Sequence, residues 1–112
     1  MYPCPSCGFC VFEAPPGSLD LCQICGWADD LVQLRFPALR SGANRSSLVD
    51  YQNEILKEFP PEVRRFRRYK RDPGWRPLTR DESRPQLYQP QSRLDYFLAA
   101  TDDPPEYYWR VK

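Results

Sequence analysis

No histidine occurs anywhere in the 112 residues, methionine occurs once, and thirteen prolines break the apolar stretches long before any reaches membrane-spanning length. Each shortage excludes something. Without an imidazole there is no ready base to activate a hydroxyl or a thiol, and no acid, base and nucleophile assemble into a catalytic set. With 41% hydrophobic and 28% charged residues, the composition is that of a soluble chain. A net charge of +1 means that no overall field steers a partner. The length suits one domain with a limited core, to which a metal staple adds stability.

What is present is cysteine at regular spacing. Cys4-Pro5-Ser6-Cys7-Gly8 and Cys22-Gln23-Ile24-Cys25-Gly26 are two Cys-x-x-Cys-Gly turns separated by fourteen residues. Each turn presents two thiolates, and the glycine that follows tolerates the positive φ that turns backbone N–H groups toward the sulfurs. Two such turns make a tetrahedral four-sulfur shell, so Cys4, Cys7, Cys22 and Cys25 are the expected ligands of one structural zinc. A filled shell leaves no position for water or substrate. Iron in a rubredoxin-like site also suits four sulfurs. Disulfides fit less well, because an odd cysteine count and the lack of a signal peptide point to a reducing, cytoplasmic setting. The holo protein has a net charge of about −1 once four thiolates and Zn²⁺ are counted. The fifth cysteine, Cys10, also lies at Cys-x-x-Cys spacing from Cys7, but Val11 follows it instead of a glycine. It is expected to be a small strand residue.

Along the chain, Phe9 to Ala14 predicts a strand, Pro15-Pro16-Gly17-Ser18 a type II turn, and Leu19 to Leu21 a return strand that completes a hairpin between the cysteine turns. Asp29-Asp30 are adjacent carboxylates with neither a histidine nor a third acid nearby, which predicts capping or turn duty over catalysis. Ser46 or Ser47 caps a helix carrying Leu48, Tyr51, Ile55, Leu56 and Phe59 at helical spacing until Pro60-Pro61. A shorter helix is expected over Glu62 to Lys70, and an extended loop over Thr79 to Gln91. Two apolar groups follow, Leu94 with Tyr96 to Leu98, and Tyr107 to Trp109 with Val111, separated by Asp102-Asp103-Pro104-Pro105. So aromatic a terminus either returns to the core as a strand or offers an edge to a partner.

The fold class expected is α+β. A small zinc-ribbon-like β-hairpin module over residues 1–45 packs with one or two helices and a C-terminal strand or tail, the helical, aromatic-rich extension over residues 46–112 belonging to the same compact domain.

Between Glu62 and Arg80, the cations Arg64, Arg65, Arg67, Arg68, Lys70, Arg71, Arg76 and Arg80 face only two acids, Glu62 and Asp72. With Phe66, Tyr69 and Trp75 interleaved, this segment has the footprint of a nucleic-acid binder over residues 64–71. The other reading is arginine forking onto carboxylates of the same chain or of a protein partner. Near-zero net charge and an acidic C-terminal third favour the protein partner. The candidate interface is Arg64, Arg65, Arg67, Arg68, Trp75 and Arg76, with Asp29, Asp30 and Asp102-Asp103 as the alternative for a partner with a basic site.

Tyr2-Pro3-Cys4-Pro5-Ser6-Cys7-Gly8, Pro15-Pro16-Gly17-Ser18, Cys22-Gln23-Ile24-Cys25, Trp27 with Asp29-Asp30, and Gly42-Ala43-Asn44 with Ser47-Leu48 together resemble the bacterial cysteine-rich CPCC family. Asp72-Pro73-Gly74-Trp75-Arg76-Pro77-Leu78 extends the likeness. The resemblance implies a zinc-binding module without catalytic residues to carry over, of a kind that travels with larger partners, including toxins that such small proteins neutralise. It departs from the family name at one place, where Ser6 occupies the third position of Cys-Pro-Cys-Cys.

Overall fold

The computed structural model describes residues 1–85 and 107–110. In chain order these form β1 (Tyr2–Pro3), β2 (Cys10–Phe12), α1 (Leu31–Arg35), α2 (Leu48–Glu58), β3 (Arg65–Phe66), β4 (Tyr69–Lys70) and a single 3₁₀ turn at Tyr108–Arg110. The class is α+β, with two small antiparallel sheets, β1-β2 and β3-β4.

The strand expected after the first cysteine turn exists as β2, but its partner is different. β2 pairs back onto β1, with Tyr2 opposite Phe12 and Pro3 opposite Cys10, so the first cysteine turn is itself the connection of the hairpin. The return segment instead pairs across the second cysteine turn. Leu21 bridges Ala28, Leu19 N–H donates to Asp29 O at 3.0 Å, and Asp29 N–H donates to Asp20 O at 2.9 Å. Between them Gly17 takes φ +103°, as the expected type II turn requires. Each cysteine pair therefore closes its own small ribbon.

Helix α1 was not legible in the sequence, because five residues are too few to show a helical period. Asp30 makes it. The Asp30 Oδ1 accepts from the Val32 and Gln33 N–H groups at 2.8 and 3.3 Å, and its Oδ2 accepts from Ala43 N–H at 2.8 Å. Helix α2 begins where the pattern placed it: Ser47 Oγ accepts from Asp50 N–H at 3.1 Å, and Phe59 ends the helix ahead of Pro60.

The helix expected over Glu62 to Lys70 is a β-hairpin instead. Arg65 pairs with Lys70 and Phe66 with Tyr69, and Arg67 in the turn takes φ 54°. The spacing of Phe66 and Tyr69 serves a helical face or a two-residue turn equally well, and tertiary contacts decide between them. The Phe66 ring meets Phe59 edge-on at 4.9 Å, Tyr69 Oη donates to Gln23, and Phe9 bridges Arg71.

One apolar cluster joins both halves of the chain, with Cys4, Phe9, Phe12, Trp27, Leu34 and Leu48 packed among Tyr69, Tyr107 and Tyr108. The described part of the C-terminus returns to this core, as a 3₁₀ turn and not as a strand. Trp109 Nε1–H and Arg110 anchor it on Asp72 Oδ2 at 2.9 and 3.1 Å. The Leu94 and Tyr96 to Leu98 group, Asp102-Asp103 and Val111 lie outside the described residues. No described helix is long and apolar enough to cross a membrane.

The loop between the helices hangs on one buried amide. Gln33 Nε2 donates to the carbonyls of Leu39, Asn44 and Ser46 at 3.1, 3.1 and 3.0 Å, while its Oε1 accepts from Asn44 N–H and Nδ2 at 3.0 Å. Asn44 in turn bonds both backbone groups of Ala28 at 2.9 Å. Gln33→Leu keeps the volume but strands these partners, so a loss of about 3 kcal/mol in urea unfolding is expected. A loss under about 0.5 kcal/mol would show that the loop holds without this amide.

Candidate metal centre

The two cysteine turns share the same pair of backbone bonds. Cys4 N–H donates to Phe9 O at 2.9 Å and Gly8 N–H to Cys4 O at 2.6 Å; Cys22 N–H donates to Trp27 O at 2.8 Å and Gly26 N–H to Cys22 O at 2.9 Å. Gly8 and Gly26 adopt φ +80° and +83°, where a side chain is strained. In the second turn the N–H groups of Ile24 and Cys25 both reach Cys22 Sγ at 3.4 Å.

Face to face, the turns bring all four sulfurs within 4.8 Å of one another. Cys4 and Cys25 are 3.7 Å apart, as are Cys7 and Cys22. A tetrahedral ion with metal–sulfur bonds of about 2.3 Å requires edges of about 3.8 Å, so the spacing fits a thiophilic metal. It is far too long for a disulfide. Burial pushes the Cys4 thiol up, and hydrogen bonding to Cys22 pushes Cys7 up. Cys22 moves the other way, because Cys25, Cys4 and Cys7 all hydrogen-bond to it. Four crowded, largely buried sulfurs oppose one another's ionisation, a conflict that a divalent cation bound to four thiolates would remove. Cys10 stands apart on β2, half-buried and outside the sulfur group, with its thiol pushed up by burial and then by Asp72.

Aromatic side chains from beyond the second cysteine turn cover both turns. A Cβ on Gly8 would lie 2.4 Å from Trp75 Cδ2, and one on Gly26 would lie 3.1 Å from Tyr51 Oη. Trp75 Nε1–H donates to Pro5 O at 3.2 Å, and Tyr51 Oη donates to Cys25 O. Gln52 adds bonds to Pro5 O and Ser6 O at 3.2 and 3.3 Å, and to Tyr108 Oη at 2.9 Å. Arg71 donates to Cys7 O at 2.7 Å. Sequence reasoning missed Gln52 and Arg71 as supports of the site. Gln52 had a signal, a polar residue one turn after Leu48 on the apolar face of α2; Arg71 was hidden in a run of cations.

The candidate interface residues divide. Arg64, Arg65, Arg67 and Arg68 are exposed. Trp75 is buried against Gly8, which removes it from any docking surface. Asp29 and Asp30 are 1% exposed, so they are not interface acids either. Asp30 caps α1 as described, and Asp29 accepts from Ser18 Oγ at 2.8 Å with its pKa raised by burial. Arg76 is clamped on its own chain, donating to both Glu82 carboxylate oxygens at 2.7 and 3.0 Å with its guanidinium over Tyr108. That clamp holds Glu82 down at about 2.

Ser6 is fully buried beside the cluster and its Oγ has no hydrogen-bond partner among the described residues. The four ligand sulfurs are complete without a side chain at this position. Cys4→Ser and Cys25→Ser are expected to abolish stoichiometric metal and to unfold the cysteine ribbons, whereas Cys10→Ser retains one metal per chain. Elemental analysis of reduced protein checks this, and metal loss in Cys10→Ser alone would overturn the ligand set. Ser6→Ala is expected to keep the metal and gain about 1 kcal/mol in denaturant unfolding by removing the orphaned hydroxyl.

No curated protein and no solved structure matches the chain. Residues 2–74 match the family model described as cysteine-rich CPCC, a span that begins at β1, takes in both cysteine turns and both helices, and ends past the β3-β4 hairpin. With well over half of its length matched, this chain belongs to the cysteine-rich CPCC family.

Proposed function

We propose that this protein is a non-catalytic, zinc-stabilised protein-binding module, an immunity or adaptor protein that docks its basic hairpin on an acidic face of a partner such as a cognate toxin. The observation that carries the reading is the charge on that hairpin. Arg65 lies directly opposite Lys70 across the β3-β4 pair, and Arg64, Arg67 and Arg68 flank them in solvent. Among the described residues none of these five cations has a carboxylate partner. Like charges directly opposed across strands destabilise a sheet. A partner carboxylate surface relieves that repulsion and gains forked contacts from the arginines.

Zinc is the ion best suited to a closed shell of four cysteines, and its role there is to hold the ribbons together. Reduced thiols at such a site accord with a cytoplasmic setting.

What favours a protein over a nucleic acid is the fate of the aromatics. Phe66 packs against Phe59, Tyr69 and Trp75 are buried, and the Arg67 and Arg68 guanidiniums lie over the Phe66 and Tyr69 rings at 5.1 and 5.2 Å. No ring of this segment offers a free face to a base.

Replacing Arg64, Arg65, Arg67 and Arg68 together by Glu is expected to abolish partner capture in a pull-down at moderate salt while leaving metal content unchanged. Nucleic-acid binding by the unaltered protein is expected to be weak and strongly salt-dependent. A submicromolar DNA or RNA complex near physiological salt would overturn the proposal.

A further inference from the structure

Among the described residues Arg71 is the only buried lysine or arginine, at 3% exposure. Four of its five N–H donors are matched, and none of the acceptors is an anion. Nε–H donates to Cys7 O at 2.7 Å, one terminal nitrogen to Pro60 O and Val63 O at 2.6 and 2.8 Å, and the other to Phe59 O at 2.9 Å. The guanidinium lies between the Phe9 and Trp75 rings, 4.7 and 4.4 Å from their centroids. Carbonyls and ring faces solvate the cation, but its charge is left uncompensated, and a buried unpaired charge is costly. A candidate for compensation is the sulfur cluster, whose Cys7 is bonded to the guanidinium through its carbonyl. Four thiolates and a divalent ion carry net charge −2, itself a buried anion in need of a cation.

We propose that Arg71 is the counter-charge of the metal centre, a positioning residue outside both cysteine turns that raises the metal affinity of the site and whose own docking depends on the metal. The inference rests on the reading of the four cysteines as a metal site and deepens it. Burial works against the Arg71 charge, and Cys7 is the foremost group whose charge would support it. Two backbone bonds carry the coupling onward. Arg71 N–H donates to Arg64 O at 2.9 Å and Asp72 N–H donates to Gly8 O at 2.8 Å, which ties the basic hairpin to the first cysteine turn. By linkage, whatever the docked arginine adds to metal affinity the metal returns to docking. Metal loading therefore sets how firmly the exposed cations of the hairpin are presented.

The test uses Co²⁺ as the probe, with its thiolate charge-transfer absorbance and chelator competition giving affinity for the whole chain. Arg71→Gln, which can hydrogen-bond but is uncharged, is expected to weaken Co²⁺ binding about 10-fold or more, within the range for groups that support metal ligands. Arg71→Lys, which keeps the charge and loses the fork, is expected to recover most of that loss. If Lys and Gln weaken binding equally, Arg71 only caps carbonyls and the assignment fails. Hydrogen exchange supplies a second readout: on metal removal from the unaltered protein the Arg71 and Asp72 amides should lose protection together, and, because metal loss also loosens the ribbons, part of that loss should appear in metal-loaded Arg71→Gln and not in metal-loaded Arg71→Lys. Retained protection in the metal-free chain would also overturn the proposal. If the unaltered chain takes up no Co²⁺ at all, the metal reading itself is wrong and this inference falls with it.

Discussion

Two cysteine turns, each complete in its own hydrogen bonds, have to be held facing one another closely enough that four sulfurs sit within 4.8 Å. Everything else in the molecule answers to that constraint. The turns close locally, through bonds from Cys4 to Phe9 and from Cys22 to Trp27, but nothing local opposes them. The mutual repulsion of four deprotonated sulfurs would drive them apart, and a thiophilic cation held at their centre would reverse the sign of that interaction. The rest of the structure supplies the geometry in which the reversal happens.

That support comes from residues that follow the two cysteine turns and is partly polar. Trp75 and Tyr51 cover the turn glycines, where a Cβ on Gly8 would clash with the indole and one on Gly26 would crowd the Tyr51 hydroxyl, and both also bond turn carbonyls. Gln52 reaches from α2 to Pro5 and Ser6, accepts from Leu78 N–H at 2.8 Å, and holds Tyr108, so one amide joins helix, cysteine turn, loop and C-terminal turn. Gln33 and Asn44 do the same for the loop between the helices. In so small a core these buried amides specify position where apolar packing alone would leave several arrangements close in energy.

The cations of the 64–80 segment separate into two populations with different physical tasks. Arg71 is inside, surrounded by carbonyls and rings, and Arg76 is clamped to Glu82. Arg64, Arg65, Arg67, Arg68 and Lys70 remain outside, where Arg65 and Lys70 oppose each other directly. The hairpin tolerates this because its inward anchors, Phe66 on Phe59 and Tyr69 on Gln23, hold it to the core whether or not a partner shields the charge. Among the described residues this surface of one sign meets no carboxylate.

Legible from the sequence were the features whose physics is local. The cysteine spacing with its trailing glycines, the type II turn at Gly17, and α2 from its Ser47 cap to Pro60 all depend on residues within a few positions of one another. The capping duty of Asp30 was legible for the same reason. What only the tertiary structure decided was everything resting on distant partners. Phe66 and Tyr69 suit a helix or a hairpin until Phe59 and Gln23 select the hairpin. Leu19 to Leu21 pair with the far side of the second cysteine turn because that turn, and not the proline-rich one, brings Ala28 and Asp29 alongside. Composition cannot tell a buried arginine from its exposed neighbours, since the environment that admits Arg71 is assembled from Phe9, Trp75 and carbonyls contributed by Cys7, Phe59, Pro60 and Val63.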